Sequence, residues 1–448
     1  MVSFLKNLFS GLYIHQQFYN YGVAIIVLIA SSFFLPILFL PAQLLLYFLI
    51  IFLIFDIFIL FRITHGIAIE RSLPEKMSNG DQNEITLTVI NHYNFQISAE
   101  IIDEIPESFQ VRDFMMRQKM IAKESKVLIY FLRPTFRGQI SFGKIHAYVI
   151  SPLKLVKRKY TFEADVMLPV YPSFIQMKKY ELLAFSHKLF QHGLKKVRRL
   201  GHTMEFEKIK EYVAGDDFRT VNWKATAKSN KLMVNQYQDE RSQSIYCILD
   251  KGRVMKMPFD GLSLLDYAIN ACLVVSNVVL RKQDYAGFFS FSRKVENRVA
   301  PDRKATQMQR IMEALYNVKT DFFESDYGRL YADIKKNIAH RSLILLFTNF
   351  ETLDGLHRQL PYLKAISKNH LLVVIFFQNT ELEALAFSPT NNAQEVFDKV
   401  IAEKFIFEKK LIVSELKSFG IHCILTKPEN LTIDTLNKYL EIKARGII

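Results

Sequence analysis

The chain has 448 residues, too long for one ordinary domain, and half of them are hydrophobic, enough for two or three folded cores. Its three cysteines, Cys247, Cys272 and Cys423, stand far apart in apolar runs, which excludes a disulfide framework or a cysteine zinc site and fits free thiols in a reducing compartment. The formal charge of +14 raises nucleic-acid binding, but no reading module accompanies it, and a basic domain facing anionic cytoplasmic lipid accounts for the same balance.

Residues 1–65 read as a membrane anchor. Residues 23–40 carry no charge, and residues 44–61 carry only Asp56; each run is long enough to cross a hydrocarbon core as a helix. Pro36 and Pro41 are expected to mark the turn between them, and no cleavable signal pattern is present. Lys6 precedes the first run, Arg62 and Arg71 follow the second, and the turn has no basic residue. The positive-inside rule then places both termini in the cytoplasm, a multi-pass protein of the inner membrane. Asp56 is either an intramembrane acid or a group paired locally, with Arg62 one candidate partner.

Residues 66–172 change to short alternating runs at 84–91, 96–103, 126–134, 138–150 and 165–172, separated by turn signals such as Ser78-Asn79-Gly80-Asp81. This is the pattern of an antiparallel, immunoglobulin-like β-sandwich. Residues 173–243 hold a basic linker (Lys188, Lys195, Lys196, Arg198, Arg199) and then a polar stretch around the only tryptophan, Trp223. Within it, residues 206–212 read as a helix, with Phe206, Ile209 and Val213 on one face and Gly215 as its C-cap. Asp216 and Asp217 open the next element. Trp223 and Tyr237 offer large surfaces for packing across a domain boundary. From 244 to 448, short apolar runs alternate with amphipathic helices, the pattern of a doubly wound α/β domain whose ligand sites lie at the C-terminal strand ends. No phosphate loop, HExxH or GxSxG accompanies those ends.

Gly201, Glu205, Glu211, Tyr212, Gly215, Asp216, Asp217, Arg219, Trp223 and Lys224 together resemble the signature of the DUF58 family of bacterial proteins. The resemblance implies two N-terminal transmembrane helices, a β-sandwich, the signature segment and a C-terminal von Willebrand factor A-like domain, in that order. It also implies partnership with a MoxR-type AAA+ ATPase and protein binding through the A-like domain. In that domain type a metal is held by Asp-x-Ser-x-Ser, a threonine and a later aspartate. Here Asp250 matches the first acid, Gly252 and Val254 replace the serines, Thr306 is the threonine candidate, and Asn349 replaces the second acid. One carboxylate beside Lys251 and Arg253 is a poor divalent-cation site, so neither Mg²⁺ nor Ca²⁺ nor another cofactor is expected, and Asp250 is expected to pair with a neighbouring base.

The function these readings lead to is a non-enzymatic, membrane-anchored adaptor or assembly factor that binds protein at the cytoplasmic face, with the signature as a clasp onto the A-like domain that a partner can share. The alternative is a metal-dependent hydrolase built on Asp216 and Asp217. Nucleic acid is not an expected partner.

Overall fold

The computed structural model describes residues 11–185, 205–213, 216–238, 242–389 and 392–446. The basic linker at 187–199, with Gly201 and Gly215, lies outside the described residues. The chain divides into two compact units, Met1–Tyr171 and Pro172–Ile448.

The first unit begins with strand β1 (Leu12–Ile14) and helix α1 (Gln16–Ser31), whose first turn is capped by His15 Nδ1 accepting from the Gln17 amide at 3.2 Å. Ser31 and Ser32 then turn their hydroxyls back onto the carbonyls of Val27 and Ile29, and the helix ends there. The first apolar helix therefore starts N-terminal to the expected 23–40 span and overlaps only its first half. The turn falls at 32–35 rather than between the prolines. Pro36 opens a 3₁₀ turn (Pro36–Leu38), and Pro41 lies in the first turn of helix α2 (Phe39–Phe61), where a missing amide leaves no hydrogen bond unmade. Residues Pro36–Phe61 form a 26-residue helical stretch of mean hydropathy 3.0, long and apolar enough to cross a membrane.

The strands that follow are β2 (Ile67–Ser72), β3 (Met77–Ser78), β4 (Asn83–Asn91), β5 (Ile97–Asp103), β6 (Met116–Met120), β7 (Ser125–Leu132), β8 (Gly138–Phe142), β9 (Ile145–Ile150), β10 (Val156–Phe162) and β11 (Val166–Tyr171). They make a five-stranded sheet β1-β10-β9-β5-β6 and two three-stranded sheets, β2-β4-β7 and β3-β11-β8. Period-2 alternation buries Ile85, Leu87 and Val89 of β4, Ile97, Ala99 and Ile101 of β5, and Ile145, Ala147 and Val149 of β9 in one common core. The expected single run at 138–150 is two strands, broken at Gly143-Lys144.

Two polar devices lie inside this unit. Arg71 of β2 forms a fully buried ion pair with Asp103 at the end of β5, donates to the Gly143 and Ala164 carbonyls, and stacks over Phe142; Tyr130 also donates to Asp103. Arg71 is therefore a core residue and contributes nothing to the basic flank counted for membrane orientation. The second device joins α2 to the sheets. Asp56, fully buried, accepts from the Ser151 hydroxyl and from the amides of Leu155 and Val156, both at 3.2 Å. Arg158 of β10 donates to the carbonyls of Leu60 (2.7 Å), Ile63 (2.6 Å) and Thr64 (3.1 Å), and so caps the C-terminal end of α2. Arg62, one candidate partner of Asp56, is exposed.

Asp56→Ala leaves two buried amides and a hydroxyl without their acceptor and is expected to destabilise this unit by about 2 kcal/mol. Asp56→Asn, which keeps one acceptor oxygen, should cost less. Equal melting temperatures for wild type and Asp56→Ala would contradict this.

The second unit opens with helix α3 (Phe174–Phe185), followed by strand β12 (Glu205–Glu211), helix α4 (Trp223–Ser229) and strand β13 (Met233–Gln238). Then come β14 (Ser244–Asp250), the short β15 (Pro258–Phe259) and β16 (Leu262–Ser263), α5 (Leu264–Arg281), β17 (Tyr285–Phe291), β18 (Val295–Asp302), α6 (Gln307–Tyr316), α7 (Tyr327–Asn337), β19 (Leu343–Phe347), α8 (Leu353–Asn369), β20 (Leu371–Phe377), α9 (Thr380–Phe387), α10 (Ala393–Ser418), β21 (His422–Thr426) and α11 (Leu431–Arg445). The main sheet runs β18-β17-β14-β19-β20-β21. It is parallel except for β18, an antiparallel edge strand that the sequence reading did not anticipate. Helices cover both faces, giving the doubly wound, A-like architecture that the resemblance implies. α5 is apolar enough to cross a membrane, but it is the buried central helix of this domain, started by a Ser263/Asp266 capping box.

Candidate partner-binding surface

The signature segment folds as a small hairpin with a helical turn laid beside it. Residues 205–211 are strand β12, not the expected helix. They pair antiparallel with β13 from Glu205↔Gln238 to Glu211↔Met233, with a bulge between Phe206 and Lys208. Of the face expected on that helix, Ile209 and Val213 are both exposed. The side chains of Glu205, Phe206 and Tyr237 lie outside the described residues.

Asp216 and Asp217 shape the turn that follows. Asp216 accepts from Lys210 Nζ at 2.7 Å and from the Val213 amide at 3.0 Å. Asp217 accepts from the Arg219 amide at 2.9 Å and so starts a 3₁₀ turn, Phe218–Thr220. Asn222 caps α4 through the Ala225 amide, and Asn230 ends it in the left-handed conformation (φ 56°). Thr226 accepts from the Met233 amide at 2.9 Å, tying α4 to β13. Glu211 pairs with Lys231 at the rim, and Tyr212 donates its amide to the Leu232 carbonyl. Both aspartates therefore perform turn-forming work.

What this scaffold presents is apolar and cationic. Trp223 is 64% exposed and Phe218 60%, with their rings edge-to-face at 6.2 Å; Val213 is 61% exposed. Arg219 and Lys224 stand beside them, also exposed. Phe218 was not among the sequence candidates; its place directly after a capping aspartate, next to Arg219, is the signal that would have found it.

At the C-terminal end of the main sheet, Asp250, Val254 and Asn349 line one small cavity, and Thr306 is not among its lining. Asp250 is buried and accepts from the hydroxyls of Ser325, Thr348 (2.7 Å) and Tyr327 (3.3 Å) and from the Gly252 amide (2.9 Å). Its partners are thus hydroxyls and an amide, not the expected neighbouring base. Lys251 instead reaches Glu296 at 2.7 Å and Asp321 at 3.6 Å. Burial pushes the Asp250 carboxyl above its ordinary range, and the hydrogen bonds pull it part of the way back. Position 252 has no room for a serine, because a Cβ there would lie 2.3 Å from Ser325 Oγ and 2.9 Å from the Phe323 carbonyl. Thr306 is exposed at the start of α6 and is no part of this cluster. Asn349 accepts from the Lys409 ammonium at 2.7 Å. A donor set of one carboxylate, three hydroxyls and an adjacent ammonium does not fit a hard divalent cation. Among the described residues, no three His, Cys, Asp or Glu side chains group as metal ligands.

The family described as "Protein of unknown function DUF58" matches residues 208–391. A curated relative, the uncharacterized protein YeaD of Bacillus subtilis (strain 168), is 24% identical over 186 residues, 38% of this chain and 44% of that protein. The match therefore spans less than half the length of this relative. Among solved structures, the chain is similar to the conserved hypothetical protein BatB from Bacteroides thetaiotaomicron (11% identity, 46% of this chain and 100% of that one, TM-score 0.30). It is also similar to the SpRpn10 VWA domain (11% identity, 44% and 94%, TM-score 0.28).

Proposed function

The chain is a DUF58-family protein across residues 208–391, and on that premise we propose that it is a membrane-anchored adaptor or assembly factor that binds a protein partner through its signature hairpin. The observation that carries this reading is the exposed Phe218–Trp223 pair with Arg219 and Lys224 beside it. Exposed aromatics next to arginine are the composition of interface hot spots. The anchor is the apolar helix pair at residues 16–61, oriented with both termini on the cytoplasmic side by Lys6 and Arg62. The partner class implied by the resemblance is a MoxR-type AAA+ ATPase. The role is non-enzymatic and needs no cofactor, and the carboxylates of Asp216 and Asp217 support the hairpin rather than a reaction.

Co-purification of the full chain from membranes, intact and as Trp223→Ala with Arg219→Ala, tests this. The intact chain is expected to enrich a protein partner, and the double variant to bind it at least tenfold more weakly, about 1.4 kcal/mol. Enrichment of the same protein by both chains, or of none by the intact chain, would refute the proposal.

A further inference from the structure

Beside the Asp250 cluster, and sharing Asn349 and Glu351 with its rim, lies a second cavity of about 310 Å³. Its walls are apolar, with Met257, Phe259 and Leu264 on one side, Leu382 of α9 and Phe405 of α10 on the other, and Phe377 at the end of β20. Into this lining comes one cation. Lys409 of α10 is partly buried, and among the described residues its one hydrogen bond goes to Asn349 Oδ1 at 2.7 Å. An ammonium carries three donors, so two remain for a ligand. Burial pushes the amine down to about 8 even though Glu351 pulls it up, which means that the protein alone solvates this charge poorly. An apolar pocket with one placed charge is the usual form of a small-molecule site, and this volume is at the lower end of the range of about 300–1,000 Å³.

We propose that this cavity binds a small apolar monocarboxylate, its tail among Phe259, Leu382 and Phe405 and its carboxylate on the Lys409 ammonium. At ~30 Å³ per water-sized group, the space suits a ligand of about ten heavy atoms. The two unspent N–H donors give the carboxylate charge-assisted hydrogen bonds in a site that water solvates poorly. Glu351 and Glu381 at the rim are exposed and select against ligands carrying further negative charge near the mouth. This site is independent of the signature hairpin, and neither reading depends on the other.

The test is titration calorimetry on the full chain in nanodiscs, with empty discs subtracted, using 4-phenylbutyrate, 4-phenylbutanol and 4-phenylbutylamine as probes. The acid is expected to bind at least tenfold more tightly than the alcohol or the amine. Lys409→Met should bring the acid down to the affinity of the alcohol, and Leu382→Trp, which fills the cavity from α9, should abolish binding of both. The proposal is overturned if the acid binds no better than the alcohol, if either variant binds the acid as the wild type does, or if no probe binds.

Discussion

Arg71→Ala is expected to destabilise the first unit by about 3–5 kcal/mol, the usual result of removing one partner from a fully buried ion pair. Neither side chain of the Arg71–Asp103 pair reaches solvent. The substitution strands the Asp103 carboxylate with Tyr130 alone and leaves the Gly143 and Ala164 carbonyls without their donor. Burial already holds the Asp103 carboxyl above its ordinary value, against the pull of Tyr130 and Arg71, and loss of the guanidinium raises it further. A carboxyl whose folded pKa is raised favours the fold most below its unfolded value, and that contribution is lost as pH rises through the folded pKa. The deficit of the variant should therefore be smaller near pH 4 than at pH 8. Replacing both residues, as Arg71→Met with Asp103→Leu, removes the desolvation cost together with the attraction and should recover part of the loss, the Gly143 and Ala164 carbonyls and the Tyr130 hydroxyl still lacking partners. Thermal unfolding of the three chains at the two pH values decides the matter. A single variant as stable as wild type would show that the pair holds nothing in place.

Lys409 has the opposite sign. Its amine, at about 8 in the fold against an ordinary 10.5, is held at a cost on the order of 3 kcal/mol at neutral pH. Between about pH 8 and 10.5 the unfolded chain binds this proton more tightly than the folded one, so stability rises with pH across that window. Lys409→Met should thus stabilise the second unit at pH 7, and the advantage should shrink as pH approaches 10.5. Asn349 and Glu351 both face the ammonium and keep the cost from being larger. Calorimetry of the second unit's transition at pH 7 and pH 10 measures the difference; an advantage of the same size at both would sink the argument.

The α/β domain was legible because its strands are uninterrupted apolar runs that alternate regularly with helical stretches. Of the six-stranded main sheet only β18 escaped, since an exposed antiparallel edge alternates weakly in Val295–Asp302. The strands of the first unit were partly legible. β10 was hidden because Arg158 occupies an inward position, where a reader looks for an aliphatic residue, and β2 because Arg71 stands near its end. The 206–212 stretch has residues at both helical and strand spacings, and pairing with β13 decided between them. Lys409 and the hydroxyls of Ser325, Tyr327 and Thr348 come from elements far apart in the chain, so no local pattern in the sequence could have assembled them around Asp250 and Asn349.

The bonds that Asp56 and Arg158 make at the end of α2 have a mechanical consequence. Residues Pro36–Phe55, the part of the helical stretch before Asp56, would span about 30 Å at ~1.5 Å per residue, matching a typical hydrocarbon core. In a thinner bilayer, a helix held at its end by a folded body cannot slide to bring its apolar length into register; it tilts instead. Because the linkage is a set of buried hydrogen bonds rather than a hinge, the sheets of the first unit would tilt with it. Their inclination to the membrane plane would then act as a gauge of bilayer thickness.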